Sequence, residues 1–172
     1  EELRINLRQA IYDVSGVAAV RYPRGGELEG LEFYHPDYKD YTLFEQDNSE
    51  ILLVTYGRIF ANVYKAAARL REMGIPVSIL KLTRIRPIDK ECIELACKYK
   101  NIFFFEEGIR WGGIGESFGL MLMENGFSGA FKLKAIENFV PVCNVKTALK
   151  NVGLDTDSIV ELVQANGVTE RE

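Results

Sequence analysis

The chain has 172 residues, of which 47% are hydrophobic and 27% are charged, a composition typical of a soluble globular protein. This length allows one medium domain with a substantial core, and room for an appendage. The net charge of −4, with basic and acidic residues interspersed, argues against a nucleic-acid partner. A membrane partner is not expected either, because no apolar run approaches the roughly 20 residues of a spanning helix.

In the first 49 residues the sequence predicts one helix and one short strand, followed by a long loop-rich stretch. Apolar residues at helical spacing predict a helix over residues 2–13, and a short buried strand follows over residues 17–20. Proline and glycines then turn the chain at residues 22–26. The stretch up to about Ser49 reads as a linker that packs along a surface through its aromatic residues. The opening Glu-Glu-Leu suggests a segment of a longer protein.

From residue 50 onward, strands and helices alternate. Four strands are predicted, at Ile51–Tyr56, Val77–Leu82, 102–105 and 131–136. Helices are predicted at residues 61–74, 90–100, 114–123, 145–151 and 156–165. This order indicates an α/β fold, with a three-layer α/β/α arrangement around a mostly parallel sheet of about five strands. The polar-apolar alternation of residues 131–136 favours an edge position for that strand.

Two adjacent glutamates, Glu106 and Glu107, follow the third of these strands and precede a glycine-rich turn at residues 112–115. Ligands of open α/β sheets bind at this end of the strands, so an acid/base pair is one interpretation. Adjacent strand residues point in opposite directions, however, so we do not expect a catalytic dyad. We favour a carboxylate that accepts backbone N–H bonds of the turn, with the glycines allowing tight strand-to-helix packing rather than binding a nucleotide.

Two pairs of arginines are candidates for anion binding. Arg84 and Arg86 follow the second predicted strand, and we expect them to pair with carboxylates across a domain or subunit contact. Arg21 and Arg24 flank a Tyr-Pro turn, where a guanidinium can be held rigidly and can bind a phosphate with forked donors. A structural ion pair explains Arg21 and Arg24 equally well at this stage.

The remaining metal-ligand and thiol residues indicate no metal site. The chain has one histidine, His35, and three cysteines without a CxxC pair. We expect His35 at the surface and Cys143 buried among apolar neighbours. Reduced cysteines are consistent with a cytoplasmic protein.

Taken in order, these motifs resemble the C-terminal part of the 1-deoxy-D-xylulose-5-phosphate synthases, a transketolase-type family. The matching segments run collinearly along nearly the whole chain: residues 20–25 (VRYPRG), 53–57 (LVTYG), 84–89 (RIRPID), 106–108 (EEG), 112–115 (GGIG) and 152–155 (VGLD). The resemblance implies three regions: the end of a pyrimidine-binding domain at residues 1–24, a linker at 25–49, and a transketolase-type C-terminal domain at 50–172.

The resemblance also implies a function for the whole protein. The family uses thiamine diphosphate and magnesium to join pyruvate to glyceraldehyde 3-phosphate with loss of carbon dioxide, a transferase reaction that supplies isoprenoid and thiamine synthesis. The cofactor and metal are implied to bind in other regions, so this segment is expected to hold no catalytic, cofactor or metal residues and to be inactive alone. Arg21, or else Arg24, is implied to bind the substrate phosphate. The other domains and a second copy, forming a homodimer, are the implied partners.

One segment departs from the family. Residues 139–143 read Phe-Val-Pro-Val-Cys where the family has a His-Gly pair, which puts the acceptor substrate in doubt. Two alternatives therefore stay open. One is a transketolase or a 2-oxoacid dehydrogenase β-subunit piece with another acceptor, and the other is a non-catalytic interaction module.

Overall fold

The computed structural model describes residues 1–23, 30–31 and 33–167. Its strands are β1 (Tyr41–Phe44), β2 (Ile51–Tyr56), β3 (Val77–Leu82), β4 (Asn101–Ile109) and β5 (Ala130–Ile136). Its helices are α1 (Glu2–Tyr12), α2 (Ile59–Glu72), α3 (Lys90–Ala96), α4 (Ile114–Glu124), α5 (Val145–Asn151) and α6 (Thr156–Gly167). The strands and helices predicted from residue 50 onward are confirmed, with shifts of a few residues at their ends.

The strands form one sheet in the order β1-β3-β2-β4-β5. The four strands from β2 to β5 run parallel, and β1 pairs antiparallel with β3. The predicted α/β fold with a mostly parallel, five-stranded sheet is thus confirmed, and β5 lies at an edge as its alternating pattern indicated. The continuous apolar runs of β2 and β4 occupy the centre, because central strands of a covered sheet are buried on both faces.

Both faces of the sheet carry a hydrophobic core, which makes the fold three layers deep. Alternate residues of each strand contribute to opposite faces, so Leu53 and Phe103 pack on one side while Leu52 and Phe104 pack on the other. Helices α2, α5 and α6 cover the first face, and α3 and α4 cover the second. Asp89 caps α3 as predicted, with its carboxylate accepting the Glu91 amide at 2.8 Å.

Two predictions for the first 49 residues were wrong. Residues 17–20 do not form a strand, and Val17 is fully exposed. Among the described residues no strand pairs with this segment, and an unpaired strand has no ladder of hydrogen bonds to hold it. The stretch to Ser49, in contrast, contains strand β1, which adds an antiparallel edge to the sheet.

Two aromatic residues ahead of β1 pack against α2, in line with the predicted packing of this stretch through its aromatics, whereas Tyr38 is exposed. Phe33 stacks on Tyr64 with ring centroids 4.3 Å apart, and Tyr34 meets Phe60 edge-on at 5.4 Å. Aromatic contacts of this kind add stabilisation beyond the area that they bury. They join this stretch to the face of the sheet that α2 covers.

Candidate functional site

The strand order identifies where a ligand crevice is expected. The chain leaves β2 toward β3 on one side and places β4 on the other side, so the connections diverge between the carboxyl ends of β2 and β4. Such a switch point is the usual binding position of open α/β sheets. Tyr56 ends β2 and Arg58 follows it at this edge, and Glu106 and Glu107 lie near the end of β4.

Glu106 is fully buried at this edge, and its carboxylate is occupied by three donors. It accepts the Tyr56 hydroxyl at 2.8 Å, the Ile114 amide at 3.2 Å and the Gly115 amide at 3.0 Å. The two amides belong to the first turn of α4, where backbone N–H groups lack helical partners and favour a negative charge. The prediction that a glutamate fixes the glycine turn is confirmed.

Glu107 points the other way and pairs with Arg58. The Arg58 Nε donates to one carboxylate oxygen at 3.0 Å, and its Nη2 contacts the other oxygen. This forked pair joins the segment after β2 to β4 and is partly exposed. The two glutamates therefore point in opposite directions and have separate partners, as expected for adjacent strand residues.

Tyr56 and Arg21 are linked electrostatically at the same edge. Burial, followed by the charge of Glu106 and the hydrogen bond to it, raises the pKa of the Tyr56 phenol, while the positive charge of Arg21 acts in the opposite direction. The positive charge of Arg21 therefore acts at the end of β2 that holds Tyr56. Arg21 is exposed, so an anion can reach it from solvent.

The glycine turn ahead of α4 is packed too closely for side chains. A Cβ on Gly113 would lie 2.3 Å from the Ile109 carbonyl oxygen and 2.6 Å from a Glu106 carboxylate oxygen. A Cβ on Gly115 would lie 2.3 Å from Leu133. Tight strand-to-helix packing thus accounts for these glycines, as the sequence predicted.

The other candidate residues are dispersed over the surface. Arg84 pairs with Asp40 at 3.1 Å within this chain, and Arg86 donates to the Ser117 hydroxyl at 3.2 Å. His35 is exposed as expected. The predicted burial of Cys143 was wrong, because its loop lies on the surface and its apolar neighbour Val142 is fully exposed.

Arg24, the second candidate for the phosphate, lies outside the described residues. Of the two predicted arginines, Arg21 is the one that the structure describes.

Sequence reasoning missed Tyr56 and Arg58. The signal was present, since Tyr56 ends and Arg58 closely follows a strand predicted to be buried, much as Glu106 follows the third predicted strand. What a local pattern does not reveal is that β2 and β4 are neighbours, which brings residues 50 positions apart into contact.

Within the described ranges, no group of three or more His, Cys, Asp or Glu side chains is arranged to hold a metal ion. Glu106, the buried carboxylate of the site, already accepts three hydrogen bonds from the protein. Its oxygens are therefore not arranged to coordinate the Mg²⁺ of a bound diphosphate. Two shallow grooves of about 300 and 210 Å³ flank Lys134 on β5, and neither is lined by Tyr56 or Glu106. No helix of the described residues has the length and apolarity needed to cross a bilayer.

Comparison with known proteins gives a consistent set of matches. Residues 40–159 match the family model of the transketolase C-terminal domain. The 1-deoxy-D-xylulose-5-phosphate synthase of Azobacteroides pseudotrichonymphae is 29% identical over 155 residues, which cover 87% of this chain and 24% of that protein. The synthase of Clostridium beijerinckii is 28% identical over 166 residues, covering 95% of this chain and 27% of that protein. The chain spans about a quarter of the length of these curated relatives.

A solved structure shares the fold. It is described as a split gene transketolase in an inactive β4 tetramer, and it superimposes with a TM-score of 0.66 at 21% identity. The superposition covers 73% of this chain and 41% of that chain.

Proposed function

Since this chain belongs to the transketolase C-terminal domain family, we propose that it is the C-terminal part of a thiamine-diphosphate- and magnesium-dependent 1-deoxy-D-xylulose-5-phosphate synthase. The observation that carries the proposal is the similarity to synthases over 87–95% of the chain. In that role the doubly covered sheet supports the rest of the enzyme, which acts in the cytoplasm as a homodimer. Cofactor and metal are assigned to the other regions of the protein, and no step is assigned to Glu106 or Glu107.

The proposed contribution of this chain to substrate binding is one phosphate contact. Arg21 is our first choice, because it is exposed and its positive charge acts on the Tyr56 phenol at the switch point. A guanidinium matches phosphate geometry with several donors and stays charged at every physiological pH. The phosphorylated acceptor, glyceraldehyde 3-phosphate, is the substrate that such a contact would hold. Arg24 is the second choice by its position in the RYPRG motif.

The test is an assay of the full-length protein that carries this chain, with pyruvate and glyceraldehyde 3-phosphate. Losing a charge-assisted hydrogen bond of about 2–3 kcal/mol predicts that Arg21→Ala raises the KM for glyceraldehyde 3-phosphate about 30- to 150-fold. The KM for pyruvate should stay unchanged, and Arg21→Lys should recover part of the loss. Arg24→Ala shows which arginine of the motif acts. If neither variant changes the acceptor KM, the phosphate contact is refuted.

A second candidate, a transketolase-type piece with another acceptor, is favoured by two observations. The segment of residues 139–143 lacks the family's His-Gly pair, and the similar fold belongs to a split gene transketolase. Under this alternative the full-length protein would transfer a two-carbon unit between sugar phosphates and would not decarboxylate pyruvate. The same preparation, offered a ketose phosphate in place of pyruvate, distinguishes the two.

A further inference from the structure

The side chain of Lys81, on β3, is buried although it carries a charge. Lys81 is 2% exposed and follows Val77 and Ile79 on the face of the sheet that α2 covers. Its ammonium contacts the carboxylate of Glu2, and it donates to the Tyr34 hydroxyl at 3.1 Å. It also lies 4.8 Å from the ring centroid of Tyr34 and 5.6 Å from that of Phe60. The proposed function uses none of these contacts.

These contacts join three parts of the chain that are far apart in sequence. Glu2 is on α1, Tyr34 precedes β1, and Lys81 is near the end of β3. They fall in the three regions that the sequence predicts, at residues 1–24, 25–49 and 50–172. The Lys81 ammonium, within the sheet, therefore contacts both residues 1–24, through Glu2, and residues 25–49, through Tyr34.

Besides Glu2, α1 meets the rest of the described chain through one buried residue and one side-chain hydrogen bond. Ile5 is the buried residue of the helix, and the Gln9 amide donates to the Tyr38 carbonyl at 3.2 Å. Leu7, Ile11 and Tyr12 are exposed. A buried ion pair that loses one partner leaves an uncompensated charge, which is strongly unfavourable. Loss of the Glu2–Lys81 contact is therefore expected to release α1 from the sheet.

We propose that Lys81 is a positioning residue, which ties α1 to the sheet through Glu2 and Tyr34 and thereby anchors the segment that carries Arg21. Arg21 follows the last residue of α1, Tyr12, by nine positions. Those positions span at most about 30 Å, so an anchored α1 holds the start of the Arg21 segment at the sheet, whereas a released α1 leaves it unattached. The consequence for phosphate binding rests on the proposed function, whereas the tie itself does not.

The tie is tested on the 172-residue chain by hydrogen exchange of the α1 amides. We expect Glu2→Gln and Lys81→Met to raise the exchange of residues 2–12 at least tenfold, with α6 unchanged. The matched control is Lys100→Met, which removes the exposed Lys100–Glu50 ion pair of 2.6 Å and should leave α1 unchanged. Should Lys81→Met unfold the chain, Glu2→Gln decides, because Glu2 lies outside the core. Unchanged α1 exchange in Glu2→Gln overturns the proposal.

Positioning is tested on the full-length protein by separating KM from kcat. We expect Glu2→Gln to raise the KM for glyceraldehyde 3-phosphate about fivefold, with kcat and the KM for pyruvate within twofold of wild type. Faster α1 exchange without a change in the acceptor KM overturns the positioning role, provided that Arg21→Ala does raise that KM. If Arg21→Ala has no effect, the phosphate contact of the proposed function has failed, and the exchange result alone decides the tie.

Discussion

Glu106 and Glu107 show how neighbouring identical residues acquire different roles. The buried Glu106 accepts hydrogen bonds from one hydroxyl and two amides. It thereby supplies acceptors for N–H groups of the first turn of α4 that lack helical partners. Glu107 is partly exposed and pairs with Arg58. The difference arises because adjacent strand residues face opposite sides of the sheet. An identical chemical group is thus structural on one side and a surface ion pair on the other.

This difference predicts unequal effects of the same substitution. Glu106→Gln should lower the free energy of unfolding by about 2 kcal/mol, because the amide has one acceptor oxygen and its NH2 group would face a donor. Glu107→Gln should change it by less than about 1 kcal/mol, since the Arg58 pair is partly screened by solvent. Urea denaturation of the two variants beside wild type measures both values. Equal losses would contradict the assigned role of Glu106.

At the scale of elements, the turn between β4 and α4 is determined by close approach. Gly113 has a φ of −71°, which any residue can adopt, so its requirement for glycine comes from the Ile109 carbonyl and the Glu106 carboxylate that a Cβ would strike. Gly112 is the opposite case. Its φ of +75° strains other residues, yet no atom lies within 4 Å of a Cβ placed there.

The two glycines should therefore respond differently to substitution. Gly113→Ala is expected to cost about 3 kcal/mol of stability, because backbone must move to admit the methyl group. Gly112→Asn should cost less than about 1 kcal/mol, since asparagine tolerates a positive φ better than other side chains. Thermal unfolding followed by circular dichroism provides the measurement. A tolerated alanine at position 113 would show that the turn relaxes easily.

At the scale of the whole molecule, the chain is a sheet covered on both faces and spans about a quarter of its relatives' length. At its switch point both glutamates are already engaged, Glu106 with backbone and Tyr56, and Glu107 with Arg58. Such an arrangement suits a supporting domain beside a reaction centre.

We therefore predict that the 172-residue chain alone does not decarboxylate pyruvate when thiamine diphosphate and magnesium are supplied. Release of carbon dioxide should stay at the background of the cofactor without protein. The full-length protein, assayed in parallel under identical conditions, is the positive control. Turnover by the isolated chain would contradict both the supporting role and the assignment of the cofactor to other regions.

Much of the fold follows from local patterns. The apolar runs of β2 and β4 predicted central strands, the alternation in β5 predicted an edge, and Asp89 predicted a helix start. These predictions succeeded because burial on one or both faces and capping depend on neighbours in sequence. The role of Glu106 was predictable for the same reason, since its amide partners lie eight and nine residues away.

Tertiary structure alone decided what depends on distant partners. Residues 17–20 have a strand-like pattern but no partner strand among the described residues, whereas β1 forms because β3 offers a free edge. Tyr56 reaches Glu106 across 50 positions, and Lys81 reaches Glu2 across 79. A lysine within an apolar strand gives no sign of its counter-charge. The sequence by itself determined strands β2 to β5 and their covering helices. The packing of distant segments determined the added strand β1 and which charges meet, because strand and charge pairing depend on distance in space.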